Sequence, residues 1–404
     1  MSVVLLTAFP VHRPRNGGQQ RIAQIEKAYR AAGLAAHTLT VCEQEILGEA
    51  GPGDTCIGFP VRSRFRRWQG RDVPLINDLL VGRFASEDER AYRAIKKRLP
   101  ARVDCVDLHQ PWLVPLVERL RREPAYRSAH VVYNSQNIEA PLKYDMLVQH
   151  GVADAQSIAH EVAALEQRAA RVCDGVVAVS QADTRQLRAF GARHVVLAGN
   201  GIAANAASEA GLSRWRKRLP EAPFAVFVAS AHPPNIKGFW DCFGDSLALL
   251  SPLQPLVLAG SAGPQVRAAA PKGRFSLLNE SRLAVLGELT EDDLAAVKQL
   301  AHVFVLPITY GGGSNIKSAE ALFSGKPVVG TPTAFRGFDA FVRLPGVARV
   351  AARPSVFRKA VAKALTTATP SPDSPAQRAL RQSLLWQHSL RPLVDAMCHE
   401  WGRP

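Results

Sequence analysis

The stretch that most constrains this chain begins with Val303-Phe304-Val305-Leu306-Pro307, a short apolar run rich in β-formers. It is followed by Gly311-Gly312-Gly313 and then by Ser314 and Asn315. The run reads as a buried strand. Ser314 and Asn315 are N-cap candidates for about ten residues of helical character. Gly325 and Pro327 close that helix, and Val328-Val329 opens another strand. The order strand, glycine loop, helix, strand predicts an α/β unit with a helix N-terminus at the loop.

Such a unit favours an anion. Glycines let backbone approach a ligand closely, and the orphan N–H groups of the first helical turn point at it with the dipole behind them. Lys317 falls in that turn, where a cation opposes the dipole unless an anion is near. Glu320 is on the same helical face. Lys317 and the amides suit phosphate and Glu320 suits vicinal hydroxyls, a combination that fits a sugar nucleotide. On spacing alone, an exposed Lys317–Glu320 pair with no ligand is an equal reading.

The rest of the chain alternates strand and helix. Strands are predicted at residues 2–7, 37–41, 103–109, 130–134, 175–180 and 195–197, then at 225–229, 256–259 and 283–286. Residues 43–71 read as irregular, 77–98 as helical and 155–172 as a long Ala-rich helix. A last helix over about 377–400 would bury Trp386, Leu390, Leu393, Val394 and Met397. His109, Gln136, Asn137 and Glu139 leave the carboxyl ends of two strands, where doubly wound sheets carry their sites. For any single one of them, hydrogen-bonded loop capping is the commoner explanation. The Ala/Ser/Asn-rich residues 203–211 read as a linker, dividing the chain at 205/206, with residues 381–404 as a C-terminal helix that packs back on the first domain.

A chain of 404 residues is too long for one typical core. No apolar stretch approaches the roughly 18 residues needed to span a membrane, and Met1–Phe9 lacks the features of a signal peptide. Six scattered cysteines without a C-x-x-C motif suggest reduced thiols in a cytosolic protein and no structural zinc. The net charge of +15 calls for an anionic partner or a solvated basic face. Arg62, Arg64, Arg66, Arg67 and Arg71 surround Phe65 and Trp68, and Arg90, Arg93, Lys96, Lys97 and Arg98 follow. That interleaving is of the kind that docks on anionic membrane surfaces.

Several blocks, in order, now carry a resemblance. They are the Gly17-Gly18…Arg21 loop, Tyr133-Asn134-Ser135-Gln136-Asn137-Ile138-Glu139, and Val176 to Ser180 leading to Gly199-Asn200-Gly201. Pro234-Asn235…Lys237-Gly238, Ala259-Gly260-Ser261, Leu286-Gly287 and Gly311 to Val329 follow. Over nearly its whole length the chain resembles a family 4 glycosyltransferase of the GT-B fold, in the G-x-G-x-x-x-K-x-x-E-A branch. The resemblance implies an α/β protein of two Rossmann-like, doubly wound domains facing a central cleft. Residues 1–205 would be the acceptor side and 206–380 the nucleotide-sugar side. Glu320 would bind the ribose. The amides of Gly313, Ser314 and Asn315 in the loop that begins at Gly311 and Gly312, with Lys317 and Lys237, would hold the diphosphate. Gly287 would meet the base. Gly17, Gly18, Asn137 and Glu139 would shape the acceptor side. No cofactor or metal is implied, and retention of configuration is.

The chain departs from the commoner family pattern at three places. Gly312 stands where a first glutamate is usual, no arginine precedes Lys237, and Gln136 stands where a histidine is frequent, leaving His109 as the fallback. The leading expectation is a cytoplasmic transferase, peripheral at the inner membrane face. It would move a hexose or deoxyhexose from a nucleotide diphosphate sugar to a glycan or lipid-linked acceptor in bacterial envelope polysaccharide synthesis. Two alternatives stand beside it. One is a GT-B enzyme acting on a protein or on nucleic acid, the latter disfavoured. The other is a degenerate nucleotide-sugar-binding protein.

Overall fold

The computed structural model describes residues 1–14, 16–49, 55–312, 314–368 and 373–401. They form two compact units, Met1–Gly199 with the chain from Ser389 onward, and Asn200–His388. Residues 203–211 lie inside the second unit and are not a linker between the two. Ile202 bridges to Leu385, and a helix capped by Ser208 spans Glu209–Arg216.

The first unit holds a parallel sheet of seven strands: β1 Ser2–Thr7, β2 Ala35–Glu43, β3 Thr55–Phe59, β4 Cys105–His109, β5 His130–Asn134, β6 Gly175–Ala178 and β7 Val195–Leu197. Their spatial order is β3-β2-β1-β4-β5-β6-β7, so the order reverses between β1 and β4. Helices cover the faces, which is why β4 and β6 are buried at every position; β6 reads as a continuous apolar run, whereas β4 also buries Asp107 and His109.

The second unit holds six parallel strands: β8 Ala225–Val228, β9 Leu256–Ala259, β10 Leu283–Gly287, β11 Val303–Leu306, β12 Val328–Gly330 and β13 Val347–Arg349, in the order β10-β9-β8-β11-β12-β13. Alternation along the strands feeds two cores. Val226, Phe304, Leu306 and Val328 join one, and Ala225, Phe227, Val303, Val305 and Val329 join the other. The order reverses between β8 and β11, and crevices at such reversals are where doubly wound sheets bind ligands.

Three expectations are corrected. Residues 43–71 are not all irregular, because β3 and short 3-10 turns at Gln44–Glu49 and Arg64–Arg66 lie within them. Residues 77–98 are two helices, Asn77–Glu87 and Glu89–Arg98, parted at Asp88, whose carboxylate accepts from the amides of Arg90 and Ala91. The last helix is three: Pro375–Gln382, Trp386–Ser389 and Arg391–His399. Trp386, Leu390, Leu393 and Met397 are buried, and Val394 is half-buried.

Candidate functional site

In the second unit, β11 runs through Pro307 into the glycine loop, where Gly311 has φ +129° and its carbonyl takes the Arg336 guanidinium. The helix that follows is Ile316–Phe323. Asn315 is its N-cap without a side-chain hydrogen bond, so the first-turn amides stay open to a ligand. Ser314 is nearly buried. Its carbonyl accepts from Asn200 Nδ2 at 2.7 Å, and its Oγ has no partner among the described residues. At the other end, the buried Arg381 guanidinium caps the Leu322 carbonyl and is held by Asp373 at 2.6 Å. Gly313 lies outside the described residues.

Lys317 projects from the first turn toward the end of β8. Its Nζ donates to Asn235 Oδ1 at 2.6 Å, and Asn235 Nδ2 donates to the Ser230 carbonyl at 2.8 Å. Burial pulls the Lys317 pKa down to about 8, with Glu320 opposing only in part. His232, at the start of the helix Pro233–Phe243, is also lowered, by burial first and by the Lys317 charge second. This helix comes close because of Gly238, where a side chain would overlap the Pro307 carbonyl.

The predicted residues are only partly brought together. Glu320 does not pair with Lys317; its partner is Lys298 at 3.0 Å, from the helix Glu291–Leu300. Lys237 is turned to Asp241, one helical turn on, at 2.7 Å. Gly287, φ +69°, ends β10, two strands away from β8. Sequence reasoning missed Lys298 and Arg336, which carry no motif and meet the site only through tertiary packing.

In the first unit, Asn16 and Gln19 form a capping box at the start of the helix Gly17–Ala31. Arg21 on that helix is buried. It donates to the carbonyls of Ala198 at 2.7 Å and Gly199 at 3.0 Å, and burial lowers its pKa to about 10 against the opposing charge of Asp107. Tyr29 donates to Asp107 Oδ2 at 2.8 Å. His109 is fully buried, not presented at the strand end as expected of a catalytic group. Its Nε2 is 3.4 Å from Asp107 Oδ2 and its Nδ1 is 3.3 Å from Gln136 Nε2. Gln110 and Gln136, following β4 and β5, have φ +63° and +59°.

Glu139 is buried, and its Oε1 accepts from Gln110 Nε2 at 3.0 Å and from Asn137 Nδ2 at 3.2 Å. Burial raises its pKa. Glu166 caps the first turn of the helix Glu139–Gln149 through the amides of Glu139 at 2.7 Å and Ala140 at 3.0 Å, and burial pushes its pKa up to about 8.

The basic segment differs from expectation in one respect: Trp68 is 2% exposed and donates to Glu161 at 2.8 Å, and Phe65 is half-buried. Arg66 is tied to Glu43 and Glu45. Arg62, Arg64, Arg67 and Arg71 are exposed. No described helix is long and apolar enough to cross a membrane. No group of three or more His, Cys, Asp or Glu among the described residues is arranged to hold a metal ion.

Sucrose-phosphate synthase from Thermosynechococcus elongatus superposes with a TM-score of 0.64 at 16% identity, covering 98% of this chain and 96% of that one. The Anabaena HepE structure in complex with UDP gives 0.64 at 16%, covering 98% and 100%. WaaG, a glycosyltransferase involved in lipopolysaccharide biosynthesis, gives 0.63 at 14%, covering 97% and 96%. The fold is GT-B. Within the second unit of this GT-B chain, residues 222–368 match the family described as glycosyl transferases group 1. No curated protein sequence matches the chain. The matched residues contain β8 to β13, the glycine loop, Lys317 and Glu320.

Proposed function

We propose that this protein transfers a hexose or deoxyhexose from a nucleoside diphosphate sugar to a hydroxyl of a glycan or lipid-linked acceptor in bacterial envelope polysaccharide synthesis, with retention. The observation that carries this reading is Lys317. A half-buried ammonium is held beside open helix amides by a neutral partner, Asn235, and among the described residues no carboxylate lies within ion-pair distance of it. Two phosphates would neutralise it, and the amides of Ser314 and Asn315 would share them. Glu320, oriented by Lys298, would take the ribose hydroxyls. HepE, similar in fold, is described in complex with UDP and glucose, which supports a nucleotide sugar as donor.

Charge developing on the leaving diphosphate would be met by Lys317 and the helix N-terminus, a preorganised electrostatic effect that needs no metal. A cytoplasmic, peripheral membrane site is supported by the exposed Arg62, Arg64, Arg67 and Arg71, together with exposed Tyr144 and Val148. The test is donor hydrolysis by the purified chain, screened over UDP-, GDP- and dTDP-sugars with and without EDTA. Release of one nucleoside diphosphate, indifferent to EDTA and lost in Glu320→Ala, is expected. Binding without turnover in the presence of candidate acceptors would favour the degenerate binding protein, and no binding at all would overturn the reading of the glycine loop.

A further inference from the structure

We propose that Gln136, and not His109, is the group of the first unit that meets a substrate hydroxyl, and that the buried chain Tyr29–Asp107–His109 holds its carboxamide in the orientation this requires. The inference rests on the glycosyl-transfer reading above for the nature of the ligand, and on geometry for the rest.

Asp107 and His109 are both fully buried. Asp107 Oδ2 already accepts the Tyr29 hydroxyl at 2.8 Å, and His109 Nε2 lies 3.4 Å from the same oxygen. The 3.4 Å approach is not a formed hydrogen bond, and Nε2 has no other partner among the described residues. Because a carboxylate only accepts, a bare Nε2 would set one lone pair against another, and the neutral ring that avoids this carries its proton on Nε2. Nδ1 is then an acceptor, and the Gln136 nitrogen at 3.3 Å is its donor. The amide orientation follows from this chain of donors. Gln136 Oε1 must turn away from His109, toward Gly18, where a Cβ would stand 3.0 Å from it. Among the described residues Oε1 has no hydrogen-bond donor.

Two independent features mark this place as built for a ligand. Gln110 and Gln136 both hold left-handed backbone, φ +63° and +59°, at the ends of adjacent strands. For residues with a Cβ this conformation persists only where the surroundings impose it. Among the described residues, buried polar atoms without partners also occur at these two strand ends: Asn134 Nδ2, Ser135 Oγ and Gln110 Oε1, beside Asp107 Oδ1 and His109 Nε2. Buried groups of this kind are normally satisfied, so their clustering points to a polar ligand that completes them. A carboxamide oxygen accepts a hydrogen bond and repels phosphate, so the ligand group it takes is a sugar hydroxyl. It cannot remove a proton, so Gln136 orients that hydroxyl and does not act as a base.

The test is a double-mutant cycle on kcat/KM with the full chain, using Gln136→Ala, His109→Asn and both together. Tyr29→Phe serves as a milder probe of the chain should His109→Asn fold poorly. Gln136→Ala is expected to cost about tenfold to a hundredfold, and His109→Asn to add less than about twofold in its presence. Costs that multiply would overturn the proposal, as would activity lost in His109→Asn but kept in Gln136→Ala. Nitrogen-15 spectra of histidine-labelled protein give a readout without turnover. His109 should show a protonated Nε2 and a hydrogen-bonded, bare Nδ1 whose shift moves in Gln136→Ala; an imidazolium or the opposite tautomer would sink the idea. If the wild type turns over no sugar nucleotide, the transfer reading fails, while the spectra still decide the His109–Gln136 relationship.

Discussion

The carboxylate of Glu320 is bound at 3.0 Å by Lys298 and not by Lys317, although Lys317 shares its helix. Lys298→Met would free Glu320 and test whether orientation matters. Half-exposed ion pairs contribute about 0–1 kcal/mol, so stability should barely change. Nucleoside diphosphate affinity, measured by calorimetry, should fall about threefold to tenfold in Lys298→Met and more in Glu320→Ala.

Lys317 sets a pH dependence. Its pKa in the free protein is about 8, so UDP affinity should decline as pH rises through that value, because the bound anion needs the ammonium. Lys317→Arg should remove the decline, since a guanidinium stays charged. In the ligand-free protein the sign is opposite. The folded pKa lies below the unfolded value of 10.5, so stability rises with pH between about 8 and 10.5. A flat UDP affinity from pH 7 to 9.5 would count against a Lys317 phosphate contact.

Gly238→Ala should destabilise the second unit by about 1–3 kcal/mol, because the new methyl overlaps the Pro307 carbonyl. The gain in helix propensity, about 1 kcal/mol, works the other way. Urea unfolding measures the net, and donor affinity should drop with it because Asn235 moves off Lys317.

Glu166, raised to about 8 by burial, should make folding stability fall between pH 4.5 and 8. In that window the folded state keeps a proton that the unfolded state has lost, with a slope of up to about 1.4 kcal/mol per pH unit. Glu166→Gln should flatten the slope in chemical denaturation series.

Binding to vesicles is expected to need anionic lipid and to weaken with salt. Replacing Arg62, Arg64, Arg67 and Arg71 with glutamate should abolish flotation with phosphatidylglycerol vesicles, and Tyr144→Ser with Val148→Ser should weaken it.

Parallel strands are legible in sequence where burial on both faces makes them continuous apolar runs, as in β8, β9 and β11, while β4 and β5 keep enough of that signal around Asp107, His109 and Asn134 to be read. β3 and β13 escape this reading, because Thr55-Cys56-Ile57-Gly58-Phe59 has no continuous apolar signal and Val347–Arg349 is short and ends in an exposed arginine. The glycine loop and Lys317 stood out because local spacing carries their chemistry. The partners Asn235 and Lys298 for Lys317 and Glu320, the burial of Trp68 and the enclosure of His109 depend on contacts between distant segments, which spacing does not encode. His109 illustrates the limit. Its place at a strand end suggested access, and the neighbouring Asp107 and Gln136 close over it.

Arg381 gives the helix Ile316–Phe323 a fixed end. Its guanidinium grips the Leu322 carbonyl, while Asp373 holds the guanidinium. A helix fastened at its carbonyl terminus cannot recoil when an anion arrives at the other. The attraction is then not dissipated in displacing the backbone, and the amides around Ser314 and Asn315 face a changing charge from a stationary frame.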